Sequence, residues 1–392
     1  MTASTNNSLV KVLTLLGWSV VATAFVVPQT RTFTTQLYSS ALIVQNKGGG
    51  HGEIGYHLAQ LLQDHPKITS VTILQDDACD DEAEPFCSYF PDLRGVTVMK
   101  APLSAECDRF QMQGMLGGRD ARFDYIWDNN SKKPTGSALA LLECAAAWNV
   151  TLYTYVSSAG MYKPQGIFPM PEDTPVKETA DQNLFDQKAI ELSLPYVSFR
   201  PQYIYGPKAN KNDYLDYFLD RLVRELPVPI PGDGSQLVSL THARDVASLL
   251  ASVLNNEEAA KQQRFFNCGT DQLVSYKEVA DICAEAAATE KYETEFYDAE
   301  LFDKTKFPFR DTDFYVAPDK AKELLGWSGP THKLKDDMKE WYFEQYKARG
   351  GPEKKMSFLK DWEIVVGSKT PPQGYVESIY DKYDPLVIEI EK

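Results

Sequence analysis

Residues 41–55, with the sequence ALIVQNKGGGHGEIG, decide the fold of this 392-residue chain. The apolar run at 41–46 predicts a buried strand. Gly49, Gly52 and Gly55 follow it at Gly-x-x-Gly-x-x-Gly spacing and lead into a segment with helical periodicity. In a strand–turn–helix unit, such glycines make the tight turn, let the backbone approach a pyrophosphate, and let helix and strand pack closely. We therefore expect a nucleotide-binding turn here, with the N-terminus of the helix facing phosphate.

The same alternation of strand and helix patterns continues along the chain. Strands are predicted at 71–74, 96–99, 123–127 and 152–156, and helical or amphipathic segments at 138–148, 214–224, 245–254 and 276–287. This order predicts an α/β protein with a Rossmann-type, doubly wound parallel sheet and a smaller C-terminal lobe. We divide the body into a dinucleotide-binding core at 41–200, a remainder with mixed core elements and the small lobe at 201–349, and a tail at 350–392.

An acidic residue at the end of the second strand would complete a dinucleotide site. Asp76 lies about 20 residues after Gly55, where an acid that accepts hydrogen bonds from ribose hydroxyls is expected. Its charge would repel a 2′-phosphate, which favours NAD over NADP if either binds. Gln75 is an alternative occupant of this position, and Asp76 also fits as the first residue of the acidic loop that follows it.

The composition limits the classes of partner. The chain has 40 basic and 55 acidic residues and a formal net charge of −15. Its overall field therefore does not attract phosphate backbones, and contact with nucleic acid would need a local basic surface. The six cysteines form no Cys-x-x-Cys pair and no metal-ligand spacing with histidine, which predicts free thiols.

The N-terminal 40 residues have the composition of a targeting sequence. No acidic residue precedes Glu53, and the apolar run 12–24 is shorter than the roughly 20 residues of a membrane span. A segment rich in serine and threonine follows, and the junction at Ala24-Phe25 resembles the cleavage motif of bipartite plastid-targeting sequences. We expect a mature protein of the plastid stroma with no transmembrane segment. The alternative is a plain secretory signal.

Later motifs resemble those of the extended short-chain dehydrogenases, the group of sugar-nucleotide epimerases and dehydratases. They occur in the family's order: SSAGMY at 157–162, FRPQYIYGP at 199–207, HARDVA at 242–247 and KAKELLGW at 320–327. The resemblance implies a dinucleotide bound by Gly49, Gly52, Gly55, Asp76, Ser157 and Lys188. It also implies chemistry by a serine, a tyrosine that transfers a proton, and a lysine.

The chain departs from that pattern at the tyrosine. Ser158 and Lys188 match the family's serine and lysine, but the tyrosine position holds Leu184. Leucine has no titratable proton, and loss of a general acid/base costs a factor of roughly 10²–10⁴. Tyr162 belongs to the serine motif and is expected to pack, and no spacing favours Tyr203 as a replacement. We expect a site that binds a ligand without the usual redox turnover.

A narrower resemblance fits this departure. The chain is similar to the chloroplast stem-loop-binding proteins, atypical dehydrogenase relatives that also lack the tyrosine. The residues that carry it are Gly49–His51 with Ile54-Gly55, Asp128–Asn130, Ser157–Lys163, Ser198–Tyr203, Val228–Gly232 and Phe266–Cys268. The resemblance implies RNA binding in the plastid, a role in transcript stability or processing, and divalent-metal-dependent endoribonuclease activity. It leaves metal ligands and nuclease residues unassigned, and assembly as a homo-oligomer or a ribonucleoprotein open.

Local groups of basic residues offer candidate RNA contacts. They are Lys132-Lys133, Lys208 with Lys211, Arg221 with Arg224, and Lys304, Lys306 and Arg310, near the aromatics Tyr214, Tyr217, Phe218, Phe307 and Phe309. Charge and stacking of this kind suit single-stranded or looped RNA, and ordinary solvated surface is the alternative. Arg310 also matches an arginine that binds substrate phosphate in related epimerases. We rank RNA binding first, a sugar-nucleotide enzyme second and a non-catalytic, nucleotide-sensing assembly partner third.

Overall fold

A computed structural model describes residues 39–45, 51–302 and 307–366. The predicted targeting sequence up to residue 38, Gly49, Lys304, Lys306 and the tail beyond residue 366 lie outside the described residues.

A seven-stranded parallel sheet forms the centre of the protein. The strands along the chain are β1 (Ser39–Gln45), β2 (Ile68–Asp76), β3 (Val96–Ala101), β4 (Tyr125–Asn129), β5 (Leu152–Val156), β6 (Tyr196–Pro201), β7 (Ile204–Tyr205), β8 (Val228–Pro231), β9 (Leu237–Val238), β10 (Thr241–His242), β11 (Phe265–Cys268), β12 (Val274–Ser275) and β13 (Thr294–Tyr297). The sheet has the order β11-β6-β5-β4-β1-β2-β3, and every pairing in it is parallel. The prediction of a doubly wound parallel sheet is confirmed.

Helices cover both faces of this sheet. They are α1 (Gly52–Gln63), α2 (Tyr89–Asp92), α3 (Arg109–Met115), α4 (Gly136–Trp148), α5 (Asp181–Glu191), α6 (Asp213–Leu222), α7 (Ala243–Ala251), α8 (Glu257–Gln263), α9 (Tyr276–Ala286), α10 (Asp319–Leu325), α11 (Leu334–Asp337), α12 (Phe343–Ala348) and α13 (Leu359–Val366). In β1, Ala41 and Ile43 pack with α1 and α7, whereas Leu42 and Val44 pack with α4. Alternate side chains of a strand point to opposite faces, so a strand buried on both faces is apolar throughout.

A smaller lobe follows the sixth strand. Its strands β8 and β13 pair in parallel, and α6 and α9 pack on a shared hydrophobic cluster. Tyr217, Phe218, Phe307 and Phe309 are buried in this cluster, so they form the core of the lobe instead of a stacking surface for RNA. The division at residue 200 stays a prediction, since β11 returns from beyond it to the main sheet.

The first part of the predicted tail packs on this lobe. Phe358 and Trp362 form a buried cluster with Leu226. Asp361 lies between them in α13 and makes a buried ion pair with Arg221, whose Nε is 2.6 Å from Asp361 Oδ2. The segment from 351 to 366 is therefore part of the folded body.

Two further expectations from the sequence concern the cysteines and membrane-spanning helices. All six cysteines are free thiols, as the spacing predicted. Among the helices that the structure describes, none has both the length and the apolar character that crossing a membrane requires.

Candidate functional site

Gly55 lets helix α1 approach the end of strand β1. Gln45 is fully buried there, and its Nε2 donates to the hydroxyl of Tyr89 at 3.0 Å. Its Oε1 accepts from Asn129 Nδ2 at 2.8 Å. A Cβ built on Gly55 would collide with the end of the Gln45 side chain. Gly55 thus has the helix–strand packing role that the glycine pattern predicts.

Gly55→Ala is expected to lower the free energy of unfolding by about 1–3 kcal/mol, because the added methyl group displaces a buried and hydrogen-bonded amide. Gly114→Ala is the matched control, since nothing lies near its Cβ position in α3 and alanine is the better helix former. Urea unfolding of both variants measures the difference. An equal effect of the two substitutions would contradict the packing role.

Two N–H groups at the N-terminus of α1 have partners within the chain. The N–H of Gly52 donates to Asn210 Oδ1 at 3.3 Å, and the N–H of Ile54 donates to the His51 carbonyl at 3.2 Å. Glu53 is fully buried in the first turn, with Oε1 2.9 Å from His51 Nδ1. The helix end that the sequence assigns to phosphate therefore faces a carboxylate and an amide oxygen.

Asp76 is buried at the end of β2. Its carboxylate accepts the N–H of Ala78 at 2.9 Å and lies 3.4 Å from the hydroxyl of Ser104. Gln75 is buried beside it. The ribose-binding role of Asp76 stays a prediction, and its oxygen atoms are engaged by the chain's own loop.

The residues of the family's catalytic set do not all line one cavity. Ser157 and Ser158 follow β5 and line a cavity at the edge of the sheet, where Ser158 Oγ accepts the N–H of Gly160 at 3.0 Å. Leu184 lies on α5 and is 36% exposed. Lys188 Nζ is 2.8 Å from Glu191 Oε1. Neither Leu184 nor Lys188 belongs to the described lining of the cavity.

The cavity lies at the carboxyl ends of β4, β5 and β6 and has a volume of about 410 Å³. Open α/β sheets bind ligands at this edge. Its polar lining groups are Asn129, Asn130, Ser131, Lys132, Ser157, Ser158, Gln182, Gln202, Lys211 and Arg310, and its rings are His51, Tyr155, Tyr203, Tyr214 and Phe314.

Three cations give this cavity its charge. Lys132, Lys211 and Arg310 line it, and no carboxylate in the described part of the chain lies within ion-pair distance of them. Arg310 donates to the Gly160 carbonyl at 2.8 Å and lies over the ring of Phe314. The cavity is thus suited to an anionic ligand, although the protein as a whole is acidic.

Lys133, Lys208, Arg221 and Arg224, the other predicted basic residues that the structure describes, have structural partners. Lys133 lies 3.6 Å from Asp181, and Lys208 Nζ lies 3.0 Å from Glu84 Oε1. Arg221 and Arg224 hold the C-terminal segment through Asp361 and through backbone carbonyls. The sequence shows the charges but not their partners, so it could not separate these residues from the three in the cavity.

The tyrosines of the cavity lack the lowered pKa that would suit them to replace the missing acid/base. Burial raises the pKa of Tyr155, Tyr203 and Tyr214, and that of Tyr214 to about 12. The family's chemistry needs the opposite, a tyrosine whose pKa is lowered by a cation. Tyr162 is fully buried and donates to Asn267 Oδ1 at 2.7 Å, which confirms its predicted packing role.

One group of potential metal ligands was not predicted, because His332 lies far along the chain from its partners. Ligand atoms of His242, Asp245 and His332 lie within 4.8 Å of one another. However, the two imidazole rings are stacked at 3.7 Å with an angle of 4°, so their in-plane lone pairs do not converge on one point. Both Asp245 oxygens accept backbone N–H groups, from Thr331 and His332. This arrangement does not fit a divalent metal ion.

The buried histidines should make stability depend on pH. Burial, with His332, His57 and Arg244 nearby, lowers the pKa of His242 to about 2, and burial lowers that of His57 to about 4. Below the unfolded value of 6.5 the unfolded chain binds protons that the folded chain does not, so stability falls as pH falls. Each histidine contributes up to about 1.4 kcal/mol per pH unit.

His242→Asn tests this dependence and keeps an N-cap acceptor for α7, since His242 Nδ1 accepts the N–H of Arg244. Between pH 6 and 5, the free energy of unfolding should fall less steeply in the variant than in the wild type, by about 1.4 kcal/mol per pH unit. Urea unfolding at several pH values measures this difference. Asp186, Asp216 and Asp220 have raised pKa values and act in the opposite direction in both proteins. If the free energy of unfolding depended on pH equally in both proteins, His242 would take up a proton in the folded protein as readily as in the unfolded chain.

Comparison with known proteins shows which family the chain belongs to. The model of the NAD dependent epimerase/dehydratase family matches residues 48–269, which is more than half of the chain. The chain belongs to this family. Relatives of this epimerase/dehydratase-family protein include the chloroplast stem-loop binding protein of 41 kDa b of Arabidopsis thaliana, with 32% identity over 262 residues. That match covers 63% of this chain and 65% of the relative.

A second relative is a trifunctional UDP-glucose 4,6-dehydratase/UDP-4-keto-6-deoxy-D-glucose 3,5-epimerase/UDP-4-keto-L-rhamnose-reductase of the same plant. It is 30% identical over 153 residues, which is 38% of this chain and 21% of that protein. This family member therefore spans less than two thirds of the length of either relative.

Solved structures of the family share the fold. A UDP-glucuronic acid 4-epimerase from Bacillus cereus, in complex with UDP-glucuronic acid and NAD, superposes with a TM-score of 0.58 at 16% identity, covering 79% of this chain and 99% of that one. A dTDP-glucose 4,6-dehydratase from Bacillus anthracis, in complex with NAD, superposes with a TM-score of 0.61 at 16% identity. The superposition covers 79% of this chain and 98% of that one. At this identity the likeness supports the fold alone.

Proposed function

We propose that this family member is a plastid RNA-binding protein that holds RNA in the cavity at the carboxyl ends of β4, β5 and β6. The observation that carries the proposal is the presence of Lys132, Lys211 and Arg310 in this cavity without carboxylate partners in the described chain. The stem-loop binding relative, which is named as chloroplastic, supports both the ligand and the compartment. The signal-and-transit pattern of the N-terminal sequence supports a location in the plastid stroma.

The rings of the cavity suit an unpaired nucleotide. His51 and Tyr214 are stacked with their centroids 6.1 Å apart, and Lys211 lies over the Tyr214 ring at 5.7 Å. Bases of single-stranded or looped RNA stack on such rings while cations neutralise the backbone. The cavity volume of about 410 Å³ accommodates a ligand of this size.

A gel shift with a stem-loop RNA tests the proposal. We expect a shift that weakens as salt rises, because phosphate contacts release counterions. A duplex of the same length without a loop is the control and is expected to bind more weakly. Absence of any salt-sensitive shift would reject RNA binding, and cofactor-dependent turnover of a sugar nucleotide would favour the enzyme instead.

Cleavage of the bound RNA, and with it a role in transcript processing, is the finer part of the proposal. His51 lines the cavity, and Glu53 engages its Nδ1 at 2.9 Å, which leaves Nε2 as the other ring nitrogen. A carboxylate-oriented imidazole is suited to accept the proton of a 2′-hydroxyl as its oxygen attacks the adjacent phosphorus. The P–O5′ bond then breaks, and the 5′-oxygen leaves as a hydroxyl with a proton from solvent. His51→Gln should then abolish cleavage and keep the gel shift. Assembly as a homo-oligomer or ribonucleoprotein stays a prediction.

A further inference from the structure

A nicotinamide dinucleotide needs free N–H groups at the start of the first helix, room to approach the glycine there and an available ribose acid. The described residues do not fit these needs. We propose that residues 207–212, here called the strap, occupy the pyrophosphate position and keep nicotinamide dinucleotides out of the cleft. This inference goes beyond RNA binding and does not depend on it.

The contact at the helix start is the first step. Asn210 Oδ1 accepts the N–H of Gly52 at 3.3 Å, so an amide oxygen of the strap takes the place of a phosphate oxygen. Pro85 narrows the same approach, since a Cβ on Gly52 would lie 3.2 Å from its ring and 3.4 Å from Asn210 Nδ2. The second glycine of the motif, whose role is to let a ligand approach the backbone, is therefore covered by protein.

The strap is fixed at its beginning. Lys208 Nζ lies 3.0 Å from Glu84 Oε1 and 2.7 Å from the hydroxyl of Ser88. The Pro207 carbonyl accepts a hydrogen bond from His57 Nε2 at 3.1 Å, because a carbonyl oxygen can only accept. Lys208 has a φ of 68°, in the left-handed region that a lysine adopts only when its contacts hold it there. These contacts join the strap to the loop after β2 and to α1.

Charge adds an independent obstacle. Glu53 is fully buried in the first turn of α1, where the family's pyrophosphate would add further negative charge. Like charges repel more strongly in a buried setting than in water. Asp76 already accepts the N–H of Ala78 at 2.9 Å, so a ribose hydroxyl would compete with the chain's own loop for this carboxylate. Cofactor binding would therefore need the strap to leave and two anionic groups to be brought together.

Calorimetric titration of the purified chain with NAD⁺ tests the proposal. The wild type is expected to show no saturable binding up to about 1 mM. Lys208→Ala with Asn210→Gly releases the strap and is expected to gain at least about tenfold in affinity. Asn210→Gly alone is the second variant in case the double variant does not fold. Lys291→Ala with Asn149→Gly is the matched control, with the same substitutions at surface positions outside the strap.

The outcomes are distinct. Micromolar binding of NAD⁺ by the wild type would overturn the proposal, because the strap would then yield to the cofactor. Equal failure of the wild type and both strap variants would overturn it too, since the strap would not be what excludes the dinucleotide. A gain confined to the strap variants would establish it. A gel shift on the same preparations reports separately on RNA binding.

Discussion

Replacing Arg221 by alanine is expected to lower the free energy of unfolding by about 3–5 kcal/mol, because it leaves Asp361 buried without its partner. The pair is bidentate, with Nε 2.6 Å from Oδ2 and Nη2 2.9 Å from Oδ1, and both side chains are almost wholly buried. The guanidinium group also lies 3.5 Å from the centroid of the Tyr217 ring. Its removal therefore breaks an ion pair, a stacking contact and three hydrogen bonds, two to Asp361 and one to the Tyr217 carbonyl.

Urea unfolding measures this loss, and limited proteolysis shows whether α13 detaches first. Lys360→Ala is the matched control in the same helix, because Lys360 lies 3.7 Å from Glu363 in an exposed pair. An exposed pair of this kind contributes about 0–1 kcal/mol. Similar losses in the two variants would mean that the C-terminal helix contributes little to the fold. Arg221→Lys should recover only part of the loss, since lysine cannot bind bidentately.

Much of the sheet could be predicted from the sequence, because strands buried on both faces are continuous apolar runs. β1, β2, β3 and β5 lie where those runs are, and β4 is shifted by two residues. The motifs at 199–207 and 266–268 marked the family but not the strands β6 and β11. Their sequences include Arg200 and Asn267, which are polar yet buried because they hydrogen-bond to Tyr162.

The candidate site was less predictable. Ser157 and Ser158 line the cavity, but the pattern could not show that Lys188 would pair with Glu191. Lys208 and Lys211 are three residues apart, yet one anchors the strap and the other faces the cavity. The difference between Lys208 and Lys211 depends on Glu84, which lies 124 residues from Lys208 along the chain, and periodicity and spacing do not report such a partner.

Replacing Lys132, Lys211 and Arg310 together by alanine is expected to weaken binding of a stem-loop RNA at least about 100-fold at moderate salt. Each cation that neutralises a phosphate of single-stranded nucleic acid contributes about 0.7 to the slope of log affinity against log salt, so the slope should fall by about 2. The substitutions should lower the free energy of unfolding by about 1–3 kcal/mol, because none of the three residues pairs with a carboxylate in the described chain but Arg310 donates to the Gly160 carbonyl.

The matched control replaces Arg119, Lys291 and Lys333 together by alanine. It removes the same charge from exposed positions outside the cavity, so it shifts the net charge of the protein equally. If affinity came from the overall field, both variants would lose it alike. If it comes from the cavity, the control keeps its affinity and its salt slope, and only the variant at 132, 211 and 310 loses both. An acidic protein that binds RNA must do so through such a local surface, and this comparison locates it.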